Sequence, residues 1–172
     1  MGVCSTPSMP NQAEVEVVFA CVHNAGRSQM AAAFAERELD RRGLGGRVEV
    51  RSGGTRPADE IHGGVREVMS EVGVDLSEAS PGYVDLELLR DSEYLVTMGC
   101  TIAEFNPNSL GVDTREWDLT DPAEADPETA RAVRDELEER VEGLVDEIEA
   151  DLAEPVESRS LSARIRDSLG LG

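Results

Sequence analysis

Lysine is absent from this 172-residue sequence: all 16 basic side chains are arginine, set against 36 acidic ones, for a formal charge of −20. That balance excludes the broad basic surface demanded by duplex nucleic acid or an anionic membrane, so neither is expected as a partner. Aromatic residues are scarce, at 3%, a shortage that together with strong negative charge often marks disorder. Here, however, Val, Leu, Ile and Phe supply 40 residues, above the roughly one-fifth share below which chains stay unfolded. A single domain with one core is expected. Long apolar runs are also missing: none approaches the ~18 residues of a membrane span, and Met1 to Ala13 lack the basic start and apolar centre of an export signal. A cytoplasmic location follows. Cysteine is limited to Cys4, Cys21 and Cys100, too few and too scattered for a disulfide scaffold, so thiols in a reducing compartment are expected. The acidic surface fits a halophilic cytosol, where a Debye length of about 3 Å at 1 M salt damps self-repulsion.

Residues 1–13 show no periodicity and read as a loose tail. Glu14 to Ala20 passes from alternation to a continuous apolar run, the pattern of a central strand covered on both faces. Strong helix formers fill Ser28 to Arg42, with Gly43 at the stop position. A second strand is expected over Arg47 to Arg51, broken by Ser52-Gly-Gly54, followed by a helix from His62 to Glu71 carrying Val65, Val68, Met69 and Val72 at helical spacing. Val84 to Arg90 suits a short helix, Tyr94 to Met98 a third strand, and Arg115 to Leu119 a weak fourth. In the last helix Asp126 is the cap, Pro127 suits the first turn, and Val133, Leu137, Val141, Val145, Ile148 and Leu152 recur every three or four residues. The domain therefore runs over 14–152. Residues 153–172 read as a tail docked on its own domain or as a helix for a partner, with Leu161, Ile165 and Leu169 spaced for a short helix. The fold class is α/β: alternating elements predict a small parallel sheet with helices on both faces, and ligands gather at the carboxyl ends of such strands.

Between the first strand and the first helix stands Cys21-Val22-His23-Asn24-Ala25-Gly26-Arg27-Ser28. A loop this tight turns backbone N–H groups inward, and the helix beginning beside it adds the positive end of its dipole, so Val22 to Arg27 can cradle a tetrahedral oxyanion. Asn24 and Gly26 tolerate the left-handed dihedrals expected of such a turn. Arg27 supplies a bidentate fork to two oxyanion oxygens. The same surroundings favour the thiolate of Cys21, a nucleophile, with Ser28 donating to its sulfur.

Proton delivery to a leaving oxygen needs an acid. Asp121, before Pro122, follows the fourth strand and so opens on the same edge as Cys21, whereas Asp126-Pro127 is better used to start the last helix. Cys100, beyond the third strand, is either a resolving thiol that reaches Cys21 after loop movement or a small buried hydrophobe. Cys4 could resolve only if the tail folds over the site. His23 would need two further ligands for a zinc site, and none is spaced for it, so no metal is expected. His62 reads as a surface or capping residue, and Trp117 as packing near the fourth strand or as a pocket rim.

These residues resemble the low-molecular-weight tyrosine phosphatase superfamily, and more closely its arsenate reductase branch. The likeness spans roughly residues 15–150 and is carried by Cys21-Val-His-Asn-Ala-Gly-Arg-Ser-Gln-Met-Ala-Ala32, Val96-Thr-Met-Gly-Cys100 and Trp117-Asp-Leu-Thr-Asp-Pro122. It implies a four-stranded parallel sheet, Cys21 as nucleophile, Arg27 as oxyanion ligand, Ser28 as support for the thiolate and Asp121 as general acid. The expected function is arsenate reduction through a Cys21 thiol-arsenate adduct resolved by a second thiol. No cofactor is bound, and a thioredoxin- or glutaredoxin-like protein or a low-molecular-weight thiol is the reductant. The alternative is a phosphatase working through a phosphocysteine. Two departures stand out. Ala123-Glu124-Ala125 replaces the tyrosines that flank an aryl phosphate in the phosphatases, and Phe105-Asn106-Pro107 stands where thioredoxin-linked reductases carry a third cysteine.

Overall fold

The computed structural model describes residues 13–90, 92–99, 112–122 and 125–153. Eight elements follow one another: β1 (Val15–Cys21), α1 (Arg27–Arg41), β2 (Val48–Gly54), α2 (Gly63–Ser70), α3 (Leu86–Arg90), β3 (Tyr94–Met98), β4 (Asp113–Glu116) and α4 (Pro127–Ala153). The strands form one parallel sheet in the order β2-β1-β3-β4. β1 is thus an interior strand, and all seven of its residues are buried, which accounts for its apolar run.

The side-chain alternation of β1 builds two cores. Val15, Val17, Phe19 and Cys21 join the larger one with α1, α2 and α4, while Val18 and Ala20 meet Leu89 of α3, Leu95 and Val112 on the opposite face. Helices therefore cover both faces. α4 buries Ala130, Val133, Leu137, Val141, Leu144, Val145, Ile148 and Leu152, so its apolar stripe is the one read from the sequence. Its start is also as expected, with the Thr129 N–H donating to Asp126 Oδ1 at 3.0 Å, and hydrogen bonds to Thr129 hold the Asp126 carboxyl below its ordinary range. Gly43 ends α1, with the Leu44 N–H returning to the Leu39 carbonyl at 2.8 Å.

Three expectations change. Ser52, Gly53 and Gly54 do not break β2; they are its last residues and pair with Phe19, Ala20 and Cys21. Glycine is required there by close approach: a Cβ on Gly54 would lie 2.7 Å from the Val22 carbonyl oxygen and 2.9 Å from the Asn24 nitrogen. β4 covers 113–116 rather than 115–119 and is only partly buried, so this edge strand carries little apolar signal. Trp117 lies just beyond it, its ring centroid 6.0 Å from that of Phe19, which supports the packing role. α3 is shorter than expected, starting at Leu86. The N-terminal tail, Cys4, Cys100 and the 154–172 segment lie outside the described residues.

Candidate active site

The loop leaves the sheet at Cys21, the last residue of β1, between Gly54 of β2 and Met98 of β3 in register. Its carbonyls are taken up by a collar outside it. The N–H groups of Thr55, Arg56, Ala58 and His62 donate to the carbonyl oxygens of Cys21 (3.2 Å), Val22 (2.8 Å), His23 (2.9 Å) and Ala25 (3.1 Å), and Met30 N–H donates to that of Gly26 (3.0 Å). In a trans peptide the C=O and the following N–H point in opposite directions, and no cis bond is present among the described residues. Turning these carbonyls outward therefore turns the N–H groups of Val22, His23, Asn24 and Gly26 inward, with the start of α1 beside them. That is a preorganised anion cradle. The left-handed expectation is met at Asn24 (φ 49°) but not at Gly26, the N-cap residue of α1, whose φ is −145°. An added Cβ at Gly26 would make ordinary contact with Pro122 at 3.4 Å and Val65 at 3.6 Å.

Two polar groups converge on the Cys21 sulfur: the Asn24 N–H donates to it at 3.2 Å, and the Ser28 hydroxyl is hydrogen-bonded with it at 2.8 Å. Cys21 is 3% exposed and Ser28 is fully buried, so both hydrogen bonds are largely sheltered from competing water. Ser28 in turn accepts from Asn24 Nδ2 at 2.7 Å. Asn24 Oδ1 accepts from Gln29 Nε2 at 3.0 Å and from the Gly82 N–H at 2.9 Å.

Arg27, the first residue of α1, is buried, and its Nη1 donates to the Leu119 carbonyl at 3.0 Å. Its Nη2 lies 3.7 Å from Asp121 Oδ2, and the Asp121 side chain is 42% exposed. The carboxyl is thus part-exposed and stands beside the guanidinium of Arg27. The wall behind Arg27 is backbone: Gly99 has φ +72°, and a Cβ there would fall 2.6 Å from Arg27 Nη1. Only glycine fits.

A family model described as low molecular weight phosphotyrosine protein phosphatase matches residues 16–154. The protein belongs to this family. It is 48% identical over 133 residues to a protein of Halobacterium salinarum named "Putative arsenate reductase", covering 77% of this sequence and 92% of that one. To the glutaredoxin arsenate reductase of Synechocystis it is 32% identical over 136 residues, covering 77% and 98%. The solved thioredoxin-dependent arsenate reductase of Corynebacterium glutamicum superposes with a TM-score of 0.66 at 36% identity, covering 81% of the present protein. The match spans 64% of that relative's length.

In this member of the low-molecular-weight phosphatase family, Cys21 ends β1, Val22, His23, Asn24, Ala25 and Gly26 form the loop, Arg27 and Ser28 open α1, and Asp121 meets Arg27. His23 is exposed, and among the described residues no group of three His, Cys, Asp or Glu side chains could hold a metal. His62 occupies the N-cap position of α2, but its imidazole makes no capping hydrogen bond. Sequence reading missed the collar of 55–62, the glycine contacts of Gly54 and Gly99, and Gln29. The glycines could have been suspected from their places at strand ends. Gln29 lies within the stretch that carries the family resemblance, but nothing in the sequence pointed to its role, because it sits inside an ordinary helical pattern.

Proposed function

We propose that this protein reduces arsenate to arsenite. The observation that carries the proposal is the Cys21 sulfur, hydrogen-bonded to the Asn24 N–H and to the Ser28 hydroxyl, at the base of a loop whose carbonyls of Cys21, Val22, His23, Ala25 and Gly26 are taken up from outside it. The names of the relatives support arsenate as the oxyanion. Arsenate settles in the cradle with Arg27 bridging two of its oxygens. The Cys21 thiolate attacks arsenic, forming an S–As bond, while Asp121 gives its proton to the departing oxygen, which leaves as water. Arsenic is still pentavalent at this stage. A second thiolate then attacks the Cys21 sulfur: an S–S bond forms, the S–As bond breaks, and its electron pair stays on arsenic, which departs as arsenite.

Cys100 is our choice for the second thiolate, supported by its place directly after Gly99, whose backbone abuts Arg27. An external low-molecular-weight thiol is the other source, and Cys4 a third. The electrons that reopen the disulfide come from a thioredoxin- or glutaredoxin-like protein or a small thiol, the kind of reductant in the names of the Corynebacterium and Synechocystis relatives. No bound metal or organic group has a part in this scheme. We place the protein in the cytoplasm of a high-salt cell, on the strength of its lysine-free acidity and its relative in a halophile. No helix among the described residues is long and apolar enough to cross a membrane.

The family model itself favours a second reading, phosphomonoester hydrolysis through a Cys21 phosphocysteine that water resolves. Disulfide mapping after one turnover with arsenate separates the two. The proposal expects arsenite together with either a Cys21–Cys100 bond or a Cys21 adduct of the added thiol. Cys100→Ser abolishes turnover under the internal relay and leaves phosphatase turnover intact under the second reading. Efficient phosphoester hydrolysis with no arsenite from any thiol or redoxin system overturns arsenate reduction.

A further inference from the structure

We infer that Gln29 is a positioning residue for the Cys21 sulfur, acting through Asn24 and Ser28, with the sense of each hydrogen bond dictated by the backbone of residues 80–82. Amide and hydroxyl groups can be turned either way, whereas a backbone N–H can only donate and a backbone carbonyl can only accept. The Gly82 N–H points at the Asn24 side chain at 2.9 Å, so the atom facing it must be Oδ1. Asn24 Nδ2 is then left toward Ser28, 2.7 Å from Oγ. The Ser80 carbonyl accepts from the Gln29 side chain at 3.1 Å, which identifies the Gln29 atom as Nε2, and the second hydrogen of that nitrogen goes to Asn24 Oδ1 at 3.0 Å. Ser28 Oγ therefore receives a hydrogen from Asn24, and its single proton is directed at the Cys21 sulfur 2.8 Å away.

Burial makes the sense of this relay matter. Asn24 and Ser28 are fully buried and Gln29 is 6% exposed, so a dipole pointing the wrong way has little water to compensate it. Asn24 also holds a left-handed φ of 49°, an arrangement its side-chain bonds help to keep, and the same residue supplies the second donor to sulfur through its N–H. Neither Gln29 nor the 80–82 segment belongs to the Cys-x5-Arg-Ser motif, yet together they choose between a serine that donates to the nucleophile and one that does not. The inference rests on Cys21 being the nucleophile. It is independent of whether the oxyanion is arsenate or a phosphoester.

The test is alkylation of Cys21 by iodoacetamide as a function of pH, read on the Cys21 peptide by mass spectrometry in the full-length protein without arsenate. Gln29→Met keeps the length of the side chain and removes its donors. It should slow Cys21 alkylation about fivefold at neutral pH and move the profile to higher pH. Gln29→Glu presents acceptors where the amide hydrogens were and should slow it about tenfold. In a Ser28→Ala background, where no hydroxyl remains to be aimed and only the Asn24 N–H still links Gln29 to the sulfur, Gln29→Met should slow alkylation less than it does in wild type. Thermal unfolding and protection of Cys21 by inorganic phosphate, measured in the same samples, report the fold and the cradle. If Gln29→Met leaves the profile unchanged, or slows Ser28→Ala as much as it slows wild type, the inference falls. A wild-type Cys21 that reacts no faster than Cys4 denies the nucleophile itself, and with it the proposed function.

Discussion

Two regions of this molecule are fastened by different chemistry. At the carboxyl edge of the sheet, neutral groups do the holding: five backbone N–H donors fix the loop carbonyls, and amides of Asn24 and Gln29 fix the hydroxyl beside the sulfur. Along α4, charge does it. Arg37 reaches Glu138 at 2.5 Å, Arg42 reaches Asp146 at 2.7 Å and Glu149 at 2.8 Å, and Arg131 and Arg134 clasp Glu71 of the α2 end at 2.9 and 2.8 Å. Arg115 pairs with Glu147, and the Tyr94 hydroxyl with Asp151. Ion pairs at a surface are screened by salt and lost to acid, whereas neutral hydrogen bonds under cover are far less sensitive to either. A protein of charge −20 thus keeps most of its charge pairing on the scaffold, and the charged groups beside the loop include the buried Arg27 and its neighbour Asp121.

The comparison breaks most sharply at two glycines. Gly54→Ala drives a Cβ into the backbone of Val22 and Asn24, so the loop must shift. Turnover should fall about a hundredfold, since reacting groups displaced by about 1 Å lose that much, and kcat/KM with arsenate measures it. Gly143→Ala on the exposed side of α4 meets nothing within 4 Å and should raise stability by about 0.5–1 kcal/mol in denaturant unfolding, leaving turnover unchanged. Acid sharpens the contrast next. Hydrogen bonds from Arg131 and Arg134 hold the Glu71 carboxyl down from 4.5 to about 2. A depressed carboxylate contributes stability above its unfolded value and loses it as pH falls through the folded one. The melting-temperature advantage of wild type over Glu71→Gln should therefore be full at neutral pH and shrink as pH drops from about 4.5 toward about 2. Equal advantages at both ends of that window would show that the clasp is not what ties α2 to α4. Salt gives the smallest effect. Arg42→Gln should cost about 0.2–1 kcal/mol in dilute buffer and nothing measurable in molar salt. Wild type itself should gain stability over the same range as self-repulsion is damped.

What could be read from sequence alone was whatever is contiguous or periodic. The cradle from Cys21 to Ser28 is one uninterrupted stretch, and α4 repeats its apolar stripe over many turns, so both were legible. β1 betrayed its interior place by a run without polar alternation. β4 did not, because an edge strand with partly buried residues carries no such run. The glycines of β2 looked like a break because glycine weakens strands in general; the reason for them, a neighbouring loop pressed against Gly54, lies about thirty residues away in sequence. The collar was invisible for a related cause: it uses backbone N–H groups of 55–62, and every residue but proline has one. Gln29 is legible only once Ser80 and Gly82 are seen beside it.

Because β1 is flanked on both sides and its faces alternate, sliding it by one position would swing the sulfur into the opposite layer. Strand alignment and chemical competence are in this respect one fact. Counting the molecules in a preparation whose Cys21 is rapidly labelled would count those whose central strand has found its place, so the nucleophile doubles as a built-in reporter of correct assembly.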